Sequence, residues 1–336
     1  MTGEGWAMAE AAAALWGATP GSARPVKVRE NIVFQIAFPN GASAALRLHR
    51  PGYQTRATIE AELDWTTRLA AAGLRVPRPR PTLAGATTAR VGSRQASVVG
   101  WLEGAPAGDG GRPLSGTRAE QTALFAALGG FLGDLHRLTD GLEFRDPPVR
   151  QHWNVDGFLG ESPLWGRFWE NPTLTPAEQN LLLTARKAAA AQLLALIADG
   201  ADCGLIHADV LRENILLTPA GLALIDFDDC GYGPRLYDLG TALVQNLEEP
   251  HLPELAAALA SGYASTRPAP GLALPGLVLF VALRAFASAG WIISRAAPDD
   301  PRQRFYAERA LVMARHIIDG TAPWGRIASS PPRKQS

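Results

Sequence analysis

The residues whose types and spacing suit chemistry lie between Cys203 and Asp229, in CGLIHADVLRENILLTPAGLALIDFDD. A short apolar run, Cys203–Ile206, leads into His207, Asp209 and Asn214. Two β-type runs follow, Asn214–Thr218 and Leu222–Phe227, joined by the turn residues Pro219-Ala220-Gly221. The second run carries Asp226, with Asp228 and Asp229 beside it. A hairpin here would return Asp226 to the loop that holds Asp209 and Asn214. One carboxylate free to accept a proton, with an amide oxygen and a second carboxylate suited to a hard cation, is an arrangement for phosphoryl transfer. The alternative is an ordinary hairpin with polar ends, which leaves the coincidence of three polar roles and two strands unexplained.

This stretch resembles the aminoglycoside phosphotransferase-like branch of the protein-kinase-like superfamily. That branch includes aminoglycoside, choline and homoserine kinases and a bacterial stress-response kinase. Its pattern, His-x-Asp-x-x-x-x-Asn followed by an Ile-Asp-Phe/Trp-Asp/Glu run, stands here as HADVLREN and IDFDD. The Arg-Glu-Asn ending looks closest to the homoserine kinase type. The resemblance covers most of the chain. It implies an α+β, bilobal protein-kinase-like fold with a small β-rich N-lobe and a mainly helical C-lobe. It also implies ATP- or GTP-dependent phosphorylation of a hydroxyl group. Asp209 would orient and deprotonate the acceptor, and Asn214 and Asp226 would bind Mg2+. Asp228, Arg212 and His207 adjoin these positions as residues that would support them or touch the acceptor. Asp238 resembles the family's structural aspartate, which braces the catalytic loop.

The elements that must position these groups follow from periodicity. Val26 to Leu48 alternates, giving strands near Ile32–Phe38 and Ala44–Leu48 joined by Pro39-Asn40-Gly41. Matched to the family, Arg29-Glu30-Asn31 takes the place of the kinase Gly-rich loop above the phosphates. Arg47 stands where the family usually has the lysine that pairs the phosphates and a helix glutamate. Arginine is always charged and grips oxyanions in a fork, so it is able to substitute. The other reading of Arg47 is a solvent-facing arginine on an edge strand. Thr58–Ala72 has helical spacing and places Glu62, or else Glu60, opposite Arg47. Ser97–Trp101 is a buried-type strand running into Leu102. By resemblance it is the hinge between lobes, where the Gly100 carbonyl and Leu102 amide would pair with adenine.

The remainder reads as helical. Thr117-Arg-Ala-Glu120 and Thr175-Pro-Ala-Glu178 are capping boxes, and the second opens a helix to about Ile197. His136, at the end of the first of these helices, reads as structural. WGRFWENP reads either as the lining of a substrate cleft or as core. Pro234–Leu247 reads as a helix, and a last helix runs to about Asp319. Leu272–Ile293 is apolar, but only sixteen residues separate Arg267 from Arg284, short of the roughly 20 a membrane span needs. An arginine near a bilayer centre costs roughly 2.5–3.5 kcal/mol, so a buried helix is expected.

Composition bounds the function. With 336 residues and 32 basic against 32 acidic ones, net charge is zero, and nothing global argues for nucleic acid or an anionic membrane. The lysines are Lys27, Lys187 and Lys334, and none follows a glycine, so the P-loop is excluded. The opening MTGEGWAMAEAAAALWG carries Glu4 and Glu10 and no basic residue, unlike a signal peptide. A cytoplasmic chain with two buried thiols, Cys203 and Cys230, is the expectation. The domain reading is residues 1–102 as a nucleotide-binding lobe, 103–325 as a catalytic lobe and 326–336 as a disordered tail. The partner is a small-molecule hydroxyl acceptor, with amino alcohols, homoserine-like and aminoglycoside-like compounds in view. Glu248 and Glu249 would favour a cationic one if they reach the cleft mouth. Two other functions remain open: a protein Ser/Thr kinase of the stress-response type, and a non-catalytic nucleotide-binding regulator. Twelve positions separate Asp226 from Asp238, with no Ala-Pro-Glu after them, which favours a small acceptor over a docked peptide.

Overall fold

The computed structural model describes residues 3–28, 31–144, 147–267, 272 and 274–324. Arg29, Glu30 and the tail from 326 lie outside the described residues. The helices are α1 (Gly3–Leu15), α2 (Arg56–Ala71), α3 (Arg118–Asp140), α4 (Val155–Leu159), α5 (Pro176–Ala198), α6 (Leu236–Val244), α7 (Leu252–Thr266), α8 (Leu274–Trp291) and α9 (Pro301–Asp319). The strands are β1 (Arg24–Val28), β2 (Ile32–Ala37), β3 (Ser43–Leu48), β4 (Pro79–Arg80), β5 (Thr88–Val91), β6 (Arg94–Gly100), β7 (Ala105–Pro106), β8 (Gln151–His152), β9 (Cys203–Ile206), β10 (Ile215–Thr218), β11 (Gly221–Leu224) and β12 (Gly231–Pro234). The fold is mixed α+β, with a sheet-bearing N-terminal region and a helical C-terminal region. The chain divides into two compact units. The first comprises Met1–Pro106, Gly141–Arg150 and Asn214–Cys230; the second comprises Ala107–Asp140, Gln151–Glu213 and Gly231–Ser336.

In the first unit the sheet runs β1-β2-β3-β6-β4, with β5 pairing β6. Alternation sets its faces. Ile32, Phe34, Ile36, Ala44, Leu46, Leu48, Ala96 and Val98 are buried in one cluster with Ala9, Ala12, Ala13 and Trp16. Burying Phe34, Leu46 or Leu48 is worth on the order of 1.5–3 kcal/mol each. That burial fixes register, because a one-residue slip would drive Arg47 into the apolar face. Arg47 therefore points the other way, in register with Val33 and Ser97. The opening segment, which the sequence reading treated only as a non-signal, is α1, the cover of this face. α2 starts two residues earlier than its periodicity suggested, because Thr55 caps it by accepting the Thr58 N–H at 3.2 Å.

The hairpin β10–β11 also belongs to this unit, with Thr218 opposite Gly221. Its second strand ends at Leu224, short of the expected Phe227. The reason is Asp226, whose φ of 68° leaves the β region, and residues 227–229 then form a 3-10 turn. Across the base of the hairpin the Ile225 N–H donates to the Asn214 carbonyl at 2.9 Å.

In the second unit β12 lies between β9 and β8, antiparallel to the first and parallel to the second. Thr175 and Glu178 form the expected capping box of α5, and Thr117 and Glu120 exchange the corresponding bonds before α3. Among the described residues two helices are long and apolar enough to cross a membrane, Pro176–Ala198 and Leu274–Ser294; 78% of the second one's apolar window is buried. The expected buried helix is thus α8. WGRFWENP is largely core: Trp165, Phe168 and Trp169 are buried.

α3 and α7 approach backbone to backbone. A Cβ on Gly129 would stand 2.0 Å from the Leu259 carbonyl oxygen, and one on Gly262 would stand 2.0 Å from that of Ala126. One turn of backbone cannot yield as a side chain does, so Gly129→Ala should destabilise by roughly 1–3 kcal/mol or more. At Gly130 the nearest atom would be 3.7 Å away. Gly130→Ala should therefore be neutral or stabilising, by up to about 1 kcal/mol of helix propensity. Thermal unfolding of the two variants should move in these different directions; equal losses would refute the close approach.

Candidate active site

Five sequence-predicted residues, Asn31, Arg47, Glu62, Asp226 and Asp228, meet in the first unit. Arg47 lies on β3 between β2 and β6, with its side chain 17% exposed, so it is not a surface group on an edge strand. Its Nη1 donates to Glu62 Oε1 at 3.2 Å and its Nη2 to Asp226 Oδ1 at 2.8 Å. Asp228 Oδ1 is 3.5 Å from Nη1. Glu62, rather than Glu60, is the partner on α2; Glu60 accepts from Arg56 and from Thr88. Asn31 donates to Asp228 Oδ2 at 2.9 Å and accepts the Arg50 N–H at 2.8 Å. Tyr53 donates to Asp229 at 2.7 Å.

The turn that follows Asp226 is pinned by Arg150, a residue the sequence reading did not single out. Its guanidinium donates to the carbonyls of Asp228, Cys230 and Thr58, tying the acidic turn to the start of α2. No short motif surrounds Arg150, so only the fold reveals it. Gly100 closes β6 and donates its N–H to the Arg78 carbonyl at 2.8 Å; Leu102 follows two residues on. Cys203 and Cys230 are both free, the first exposed rather than buried as expected. Burial pushes the Cys230 thiol well above its ordinary range.

The electrostatics of this cluster are unbalanced. Burial lifts Glu62 to about 7; Arg47 opposes this, but three carboxylates share its charge. Burial also raises Asp228, with Asp226 adding like-charge repulsion. Desolvation works against charge on Arg47 as well, yet the surrounding carboxylates outweigh it and raise its pKa. Even with Arg150 acting as a second cation on Glu62 and Asp228, Arg47 faces more than one carboxylate, an excess that a divalent cation would relieve. Among the described residues no three His, Cys, Asp or Glu side chains converge as a metal cage. Mg2+ requires less, one or two carboxylates plus substrate phosphates. Asp226, 32% exposed, is such a carboxylate, and the Asn214 main chain lies across the hairpin base from Ile225, the residue before Asp226.

In the second unit the loop after β9 is held by a buried carboxylate. Asp238 on α6 accepts the N–H groups of His207 at 2.9 Å and Ala208 at 2.7 Å. It also accepts from His136 Nε2 at 3.0 Å, and His136 Nδ1 then accepts from the Tyr263 hydroxyl at 2.9 Å. Burial alone would raise Asp238, but the bonds from His136 and the His207 N–H prevail and hold it below its ordinary value. Burial keeps His136 neutral in the same way. Ala208 has a φ of 66°, a conformation costing on the order of 1–3 kcal/mol for a residue with a Cβ. The Asp209 N–H donates to His207 Nδ1 at 3.1 Å.

Among the charged groups there, the sequence leaves Arg212 as either a supporting residue or an acceptor contact, and Glu248 and Glu249 as charge for a cleft mouth. Arg212 is buried and committed: it donates to Asn246, to the Arg112 carbonyl and to Glu249 at 2.7 Å, so it is a bracket within this unit and not a group presented to an acceptor. Glu248 is gripped by Arg309 at 2.7 and 3.0 Å. With both carboxylates neutralised by arginines, the field argued from Glu248 and Glu249 for a cationic acceptor is lost. Conversely, Arg284 entered the sequence argument only as a charge unsuited to a membrane. Its Nη2 donates to Asp209 Oδ1 at 2.6 Å, and its guanidinium lies over the Trp165 ring at 4.4 Å.

Comparison with known proteins extends this geometry. A model of the phosphotransferase enzyme family matches residues 22–273. The chain belongs to that family. It is 25% identical over 245 residues to the amicoumacin kinase of Bacillus subtilis, covering 72% of this chain and 68% of that one. Among solved structures, a microcompartment-associated aminopropanol kinase is similar with a TM-score of 0.80 and 26% identity, covering 94% of this chain and 98% of the other. An amicoumacin kinase solved with AMP-PNP, Ca2+ and its ligand is similar in fold, with a TM-score of 0.73 and 22% identity over 96% and 97% of the two chains. The protein is a small-molecule phosphotransferase, a kinase with an alcohol acceptor. The protein-kinase and regulator readings are not favoured.

For this kinase the raised Glu62 has a measurable consequence. Its folded pKa of about 7 exceeds the unfolded value of about 4.3. The protonated form is therefore the one that folding favours. The resulting stability is full below the unfolded value and is lost as pH rises through about 7. Glu62→Gln removes this dependence, so its melting temperature relative to the parent should rise between about pH 5 and pH 8. A difference that does not change with pH would contradict the desolvated carboxylate.

Proposed function

We propose that the kinase transfers the γ-phosphoryl group of ATP to the hydroxyl of a small amino alcohol, with Asp209 as the group that accepts the hydroxyl proton. The observation that carries this reading is the acidic cluster around Arg47, whose excess of carboxylates suits a Mg2+–nucleotide. Asn214 and Asp226 would hold the Mg2+, which neutralises charge on the transferring phosphates. Arg47, oriented by Glu62, grips phosphate oxygens. Asn31 holds Asp228 in place, and the main chain at Gly100 and Leu102 takes the adenine. His207 and Asp238 fix the loop so that Asp209 meets the acceptor oxygen; the protein's contribution is positioning and charge compensation. The acceptor class is supported by similarity to the aminopropanol kinase along nearly the whole chain.

The test is ADP release with 1-amino-2-propanol, ethanolamine, choline and homoserine, each compared with an amine-free analogue such as 1,2-propanediol. Turnover should appear with at least one amine-bearing alcohol and exceed that of its analogue. Preference for the amine-free compounds would overturn the acceptor class.

The residue roles separate by mutation. Asp209→Asn should lower turnover by roughly 10²–10⁴-fold while calorimetry still detects nucleotide binding. Asp226→Asn should lose Mg2+-dependent nucleotide binding together with rate. Parent turnover in Asp209→Asn, or nucleotide binding in Asp226→Asn that is as tight with Mg2+ as the parent's, would remove the corresponding assignment.

A further inference from the structure

Arg284 is the single charged residue of α8, and its side chain is only 5% exposed. Burying a guanidinium in an apolar helix is costly unless a partner repays it. Its charged partner is Asp209, at 2.6 Å. Nε and Nη1 have no hydrogen-bond partner among the described residues, and the guanidinium lies on Trp165. That indole is itself braced edge-on by Trp153 at 5.2 Å, and Trp153 stacks on Tyr237 of α6 at 5.5 Å. Arg284 is thus held by an aromatic wall from outside the loop that carries Asp209. An apolar side chain would pack in this helix at lower cost, and Asp209 is itself 17% exposed. The fold therefore does not need Arg284; the orientation of Asp209 does.

The loop supplies the complementary half. Asp238 grips the N–H groups of His207 and Ala208, and His207 takes the Asp209 N–H. These bonds fix the backbone of Asp209, and Arg284 Nη2 engages its carboxylate at Oδ1. We propose that Arg284 is a positioning residue for phosphoryl transfer: it engages one carboxylate oxygen of Asp209 and so turns the other toward the acceptor hydroxyl. Its charge also offsets part of that of Asp209 at 2.6 Å. The proposal rests on Asp209 as the acceptor-facing carboxylate.

The test uses Arg284→Met, Arg284→Lys, Asp209→Asn and the double variant Asp209→Asn/Arg284→Met, assayed with the amino alcohol turned over fastest by the parent. Arg284→Met should lower kcat by about 10- to 100-fold, the scale of a misplaced reacting group. The Kd for Mg2+–ATP and the melting temperature should stay near the parent's. Arg284→Lys, which keeps one charged donor, should recover part of the rate. The double variant should be no slower than Asp209→Asn, because the arginine acts through that carboxylate. Parent-like kcat in both Arg284 variants would overturn the proposal, as would a double variant slower than Asp209→Asn by the full Arg284→Met factor. If Arg284→Met unfolds, Arg284→Lys decides: parent-like kcat overturns, a reduced kcat at unchanged melting temperature supports. Parent-like turnover in Asp209→Asn would instead locate the failure in the role given to Asp209.

Discussion

The buried carboxylate of Asp238 is the constraint on which the loop from His207 to Asp209 depends. Three donors converge on it, two from consecutive backbone N–H groups and one from His136. Consecutive N–H groups can point at one oxygen pair only if the chain turns sharply, and the positive φ of Ala208 is that turn. A buried charge with its acceptor capacity filled is tolerated where an unfilled one is not. Removing it would free the loop and leave His136 and Tyr263 as buried polar groups with a broken chain of bonds. The same logic explains why His136 is neutral: its Nε2 proton is committed to Asp238 and its Nδ1 lone pair to Tyr263.

Charge is distributed very differently in the two units. In the second, Glu248 is paired with Arg309 and Glu249 with Arg212. In the first, Arg47 is shared among Glu62, Asp226 and Asp228. Matched pairs behave as structure; a shared arginine leaves charge for something else to satisfy. That difference separates carboxylates neutralised by a partner of their own from carboxylates that share one, even though both kinds are aspartates and glutamates in the sequence. Arg150 ties three carbonyls and so shapes the acidic turn, and its charge also acts on Glu62 and Asp228.

What the sequence determined by itself was local and covalent. The spacing of His207, Asp209, Asn214 and Asp226 is a matter of chain order, and the hairpin between them follows from turn residues and alternation. The capping boxes at Thr117 and Thr175 and the apolar character of α8 are local in the same sense, since each depends on neighbours within a few residues. Tertiary structure decided whatever rests on partners distant in sequence. That Glu62 rather than Glu60 meets Arg47 depends on how α2 lies on β3. That Arg212, Glu248 and Glu249 are spent in ion pairs depends on partners 37 and 61 residues apart in the chain. Arg284 illustrates the reason most directly. Its sequence environment says only that a charge stands in an apolar helix, and composition cannot say what repays its burial. The partner, Asp209, is 75 residues away, and only packing of α8 against Trp165 brings the two together. Strand boundaries failed for a smaller reason of the same kind: the left-handed turn at Asp226 is imposed by its surroundings and has no signature in residue type.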